Sequence, residues 1–139
     1  MKKKLSDILN ASKVFKLLTT KHFTNFLVSY KIARASKEID DNVNFYLEEE
    51  KKIVDKYADK DENGNIKIAD GNMITFSNRE NSINFNKEIA ALQSVEVDIF
   101  DTIQLELSDF KDQKDIDLTP SDLILLDGFI EFIDKNKKA

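Results

Sequence analysis

The chain has 139 residues, 41% of them hydrophobic and 34% charged, with a formal net charge of -5. That is enough apolar material for a packed core and too much for a disordered segment. The acidic balance argues against phosphate wrapping, the lack of cysteine excludes disulfides, thiol chemistry and cysteine-based zinc sites, and no apolar run approaches the ~20 residues of a bilayer span.

The expectation is a soluble, intracellular α+β protein that binds neither nucleic acid nor membrane. Lys2-Lys3-Lys4 reads as a solvated end. Behind it, LSDILNASKVFKLL is interrupted by polar residues, so it reads as an amphipathic helix and not as a secretion signal. Leu5, Ile8, Ser12, Phe15 and Leu18 recur at spacings of three and four, which predicts a helix over Leu5 to Leu18. Thr19-Thr20-Lys21 then breaks the pattern and allows a turn.

From about His22 to Tyr57 there is neither Gly nor Pro, and one long helix is predicted. Phe26, Tyr30 and Ala33 form one apolar stripe. Ile39, Val43, Tyr46, Ile53 and Tyr57 form a second, with Glu50 in the skipped slot. The stripes are out of phase, so the helix is expected to bend or to change packing partner near Ser36. Glu48 and Lys52 are spaced for an i,i+4 pair.

The period then changes to two. Ile66 to Ala69 and Met73 to Phe76, joined by Asp70-Gly71-Asn72, predict a β-hairpin over about 64–77. Asn81 or Ser82 is the predicted cap of a helix running to Leu92, with Phe85, Ile89 and Leu92 inward. Val95, Val97 and Ile99, then Ile103, Leu105 and Leu107, alternate with polar residues and predict β segments over about 95–108. Lys111 to Asp117 reads as a charged loop.

Thr119 as N-cap, Pro120 at N1 and Asp122 in the first turn predict a C-terminal helix over about 120–135. Its stripe would be Leu123, Leu126, Ile130 and Ile133, with Leu125, Phe129 and Phe132 beside it and Gly128 in its middle. The whole reads as a single domain, 1–139, with a long helical hairpin-like α core, a small antiparallel β element and a C-terminal helix.

One stretch raises a metal question. DKDENGNIKIAD, residues 59 to 70, places Asp59, Asp61, Asn63, Gly64 and Asp70 at the positions of an EF-hand loop, with the Asn65 carbonyl and the aliphatic Ile66 also in place. Against calcium, Asp70 is one methylene shorter than the bidentate Glu, Lys67 puts a cation beside the ion, and the motif needs a helix where turn and strand follow. The favoured reading is a helix end, an Asx turn with Gly64 left-handed, and then the hairpin. Calcium binding through residues 59–70 is a minor alternative.

No catalytic, cofactor-binding or metal residue is assigned. His22 has no nucleophile marked near it and reads as a surface or cap residue. Carboxylates are plentiful, and Glu50 in the apolar stripe is the only one whose position hints at burial. It reads as an edge residue that reaches solvent or a lysine.

The order of these signals is familiar. The run YKIARASKEIDDNVNFYLEEEKKIVDKYADKDENGNI, then FNKEIAALQSVEVDI and LTPSDLILLDGFIEF, resembles a family of small phage and prophage proteins of Gram-positive bacteria, the domain of unknown function DUF1617. The resemblance implies a phage-encoded protein without established chemistry, located in the bacterial cytoplasm or in the virion. It carries over no functional residue. With the broad apolar helix faces, it leads to a non-enzymatic protein that works through protein contacts, either with a phage structural protein or by self-association into a homo-oligomer. A small virion or tail component, or an assembly factor for one, is the first expectation. The alternative is a regulatory or counter-defence protein that engages a host enzyme through its acidic surface.

Overall fold

The computed structural model describes residues 1–111 and 115–134. The element order is β1 (Lys2–Lys4), α1 (Leu5–Thr19), α2 (Phe26–Tyr57), β2 (Ile68–Ala69), β3 (Met73–Ile74), α3 (Arg79–Gln93), β4 (Glu96–Asp98), β5 (Ile103–Glu106), α4 (Ser108–Lys111), α5 (Pro120–Leu126) and β6 (Ile130–Ile133). The α+β class holds, with a long helix and small two-stranded sheets. Two compact units divide the described chain: Met1–Val43 together with the residues from Glu96 onward, and Asn44–Val95.

In the first unit the lysine run is not a free end. β1 pairs antiparallel with β4, with Lys2 opposite Asp98 and Lys4 opposite Glu96. Opposite charges facing across two strands are a favourable pair, and that is what lets three lysines form a strand. Lys3 points the other way, half-buried, with its ammonium 5.1 Å from the centre of the Phe129 ring.

α1 forms as the spacing predicts and buries Leu5, Ile8, Ala11, Ser12, Val14, Phe15 and Leu18. Its small residues, Ala11 and Ser12, widen the buried face beyond one stripe. Val28, Ile32, Ala35 and Ile39 of α2 join this core, as do Ile99, Leu105, Leu126, Phe129 and Ile130. Each large aliphatic or aromatic side chain so buried contributes roughly 1.5–3 kcal/mol.

α2 starts at Phe26, four residues later than expected. The Leu27 N–H donates to the Asn25 side chain at 3.1 Å, and this opens the helix. His22 is exposed in the connection before it. The helix runs through Ser36 without a break. The supposed phase shift is resolved by burial: Val28, Ile32, Ala35 and Ile39 are one seam at spacings of four, three and four, while Phe26, Tyr30 and Ala33 lie on the opposite, exposed face.

The predicted C-terminal helix forms, but it does not run over 120–135. Thr119 and Asp122 make the full capping box, each side chain accepting the other's backbone N–H (3.1 and 3.0 Å), but α5 ends at Leu126. Asp127 is extended and Gly128 is left-handed at φ +81°. The chain then enters β6, which pairs parallel with β5 in the register Ile103 to Ile130 through Glu106 to Ile133. Ile-Glu-Phe-Ile suits a strand, and the ladder satisfies backbone groups that a helix would otherwise have paired. The expected charged loop, Lys111 to Asp117, begins inside α4 at Lys111, and its residues 112–114 lie outside the described residues.

In the second unit α3 starts earlier than predicted. Asn78, not Asn81 or Ser82, is the cap, and its side chain accepts the Glu80 N–H at 2.8 Å. Gln93 donates to the Tyr46 hydroxyl at 3.3 Å, and Lys56 reaches Glu88 at 3.3 Å. The contacts run in opposite chain directions, so the C-terminal part of α2 and α3 are antiparallel. Phe85, Ile89 and Leu92 are half-buried, and Phe85 meets Phe76 at 5.0 Å. Lys52 pairs with Glu49 at 2.9 Å and not with Glu48. Glu50 lies beside the Tyr46 hydroxyl, which burial first, and this carboxylate after it, push up.

Candidate interaction surface

Two regions of the described residues carry side chains arranged for contact. The first is the outer face of α2. Phe26 is 74% exposed and Tyr30 47%. Their rings stack at 6.2 Å with planes 21° apart. Arg34, one turn on, lies 5.7 Å from the Tyr30 ring centre and donates to its hydroxyl at 3.1 Å. The three residues sit four apart, so they form a ladder along one line of the helix. Ordering these side chains in advance lowers the entropy lost when a partner covers them.

Beside this ladder a groove of about 480 Å³ runs between α2 and β5, lined by Tyr30, Lys31, Arg34, Phe100 and Gln104 among others. A larger apolar cleft, about 870 Å³, lies along β6 and is lined by Leu107, Phe110, Leu118, Leu123 and Phe132. It is of the size that holds small ligands, and Lys111 lines it together with Asp127 and Glu131.

The second region is the loop that raised the calcium question. The Asp61 side chain accepts the Asn63 and Asn65 N–H groups at 2.9 and 3.0 Å, an Asx turn, and Gly64 is left-handed at φ +80°. Past it the backbone is extended: Lys60 bridges Ile66, then β2 pairs with β3 through a turn in which Gly71 and Asn72 both have positive φ. Turn and hairpin therefore stand where an EF-hand has its exit helix. Asp59 faces away from the turn. Its Oδ1 accepts the Ser77 N–H and hydroxyl at 2.9 and 2.7 Å, and its Oδ2 the Thr75 hydroxyl at 3.1 Å. Asp59 and Asp61 thus serve two local structures, and among the described residues no three His, Asp or Glu side chains are grouped to hold a metal ion.

These bonds give Asp59 a pH signature. The Ser77 N–H, then the Ser77 hydroxyl, hold its carboxyl below the usual aspartate range. A lowered folded value means that the stabilisation is complete above the unfolded value and is lost as pH falls through the lower, folded one. Amide exchange at Ser77, corrected for its intrinsic rate, is expected to accelerate below about pH 4. In Asp59→Ala it should be fast at every pH. Protection that is flat from neutral pH to pH 2 would show that the carboxylate does not hold this strand end.

The ladder on α2 is what reading the sequence missed. Phe26 and Tyr30 read in the sequence only as part of an apolar stripe, without a face assigned to it. The signal for its direction was available: Val28, Ile32, Ala35 and Ile39 continue the heptad of Tyr46 and Ile53 without a phase change. Compared with protein-family models, with curated proteins and with solved structures, the chain matches none of them.

Proposed function

We propose that this chain is a non-enzymatic phage or prophage protein that acts by binding other proteins, as a small virion or tail component or as an assembly factor for one. It works in the bacterial cytoplasm or in the particle. No helix among the described residues is long and apolar enough to cross a membrane. The observation that carries the contact reading is the Phe26–Tyr30–Arg34 ladder, an exposed and ordered row of the residue types that dominate binding energy at interfaces. A row of this kind is costly to leave in water. The phage assignment rests on the resemblance of the three quoted segments.

A photo-crosslinking amino acid at position 30, introduced in prophage-induced or infected cells, tests the reading. A crosslink to a virion protein, absent when the probe is moved to exposed Lys13, is expected, together with recovery of the chain or its partner in tail or capsid assemblies. Equal labelling at positions 30 and 13 would remove the case for this face.

A further inference from the structure

The outer face of α2 has a charge order that identifies its occupant. From Phe26 to Lys37 the helix carries Lys31, Arg34 and Lys37 and no acid. From Glu38 to Glu50 it carries Glu38, Asp40, Asp41, Glu48, Glu49 and Glu50 and no base. Phe26, Tyr30, Ala33, Arg34, Lys37 and Asp41, at helical spacing, are all exposed. None of Arg34, Lys37, Asp40 and Asp41 is in an ion pair among the described residues.

We propose that this face pairs with the same face of a second copy of the chain, the two α2 helices antiparallel about a two-fold axis between Lys37 and Glu38. Such an axis makes the surface its own complement, as an isologous dimer requires. Arg34 then falls opposite Asp41 of the second copy, and Lys37 opposite Glu38. A parallel pair would set Arg34 against Arg34 and Asp41 against Asp41, and like charges facing each other disfavour it. The aromatic side chains supply affinity. The exposed charges, individually weak, supply orientation and register. The inference rests on the reading of α2 as a contact face and adds the identity of the partner.

Sedimentation equilibrium of the full chain across micromolar to submillimolar concentrations, at low and high salt, tests it. A reversible dimer that weakens with salt is expected. Arg34→Glu alone, or Asp41→Arg alone, replaces two symmetric attractions with repulsions and should raise Kd at least about tenfold. The double variant R34E/D41R restores opposite charges across the axis and should recover most of the dimer. A chain that stays monomeric at every concentration, or a dimer indifferent to all three variants, overturns the proposal. The two readings fail separately: a monomer that still crosslinks a virion protein at position 30 removes the second copy and leaves the contact face, whereas a swap-dependent dimer without that crosslink does the reverse.

Discussion

Phe15→Ala is expected to cost about 3–5 kcal/mol, the largest effect of a single substitution in this chain. Phe15 is 1% exposed, and it meets Phe100 and Phe129 edge-on, each at 6.2 Å between ring centres. The three rings come from α1, from the connection between β4 and β5, and from the turn before β6, so one side chain joins three separate stretches. The void cannot close easily. α1 is held by six other buried side chains, and Phe129 is held next to the β5–β6 ladder, whose Ile103 N–H donates to the Phe129 carbonyl at 2.9 Å. A cavity that fails to collapse costs its volume in lost contacts as well as the transfer energy of the ring. Urea denaturation of the full chain, followed by amide exchange in β1 and β5, measures it. Phe26→Ala is the control, since an exposed aromatic should change stability by no more than about 0.5 kcal/mol. A Phe15→Ala cost under about 1 kcal/mol would mean that the ring does not sit in this cluster.

That contrast between two phenylalanines shows what was legible in the sequence. Where local chemistry decides, residues were enough: the Thr119–Asp122 capping box, the face of α1 and the Asx turn at Asp61 follow from side chains within four positions of one another. Where a distant partner decides, they were not. Lys2–Lys4 becomes a strand only because Glu96-Val97-Asp98, far along the chain, offers alternating acids. Phe26 and Tyr30 had the right spacing for a core stripe, and what assigns the outward face is the competing stripe, Val28, Ile32, Ala35 and Ile39, which is buried. The contact surface is therefore visible in the sequence as a pattern, and only the fold gives it a direction. The polarity of charge along the same helix was equally visible and acquires meaning only once that face is known to be exposed.

The segment after Leu126 is the sharpest case, because its two readings predict opposite signs for Gly128→Ala. The three-and-four spacing of Leu126, Ile130 and Ile133 suggests a glycine in mid-helix, and there alanine would stabilise by roughly 1 kcal/mol. In the structure Gly128 has φ +81°. An L-residue pays about 1–2 kcal/mol for that conformation. A Cβ at this position would also meet the Lys3 ammonium, which must then leave the Phe129 ring. The lysine end is flexible, so the backbone supplies most of the cost. Gly128→Ala is therefore expected to destabilise by about 1–2 kcal/mol, and Gly128→Asn by less, because asparagine visits the left-handed region more readily. Lys3→Ala combined with Gly128→Ala separates the two parts: it removes the steric contact and leaves the strain, so the double variant should fall short of the sum of the singles. Far-UV circular dichroism distinguishes the outcomes. A more stable Gly128→Ala protein with added helical signal would mean that α5 continues through residue 128. A less stable one without added helix means that the left-handed residue is what turns the chain out of α5 and into register with β5.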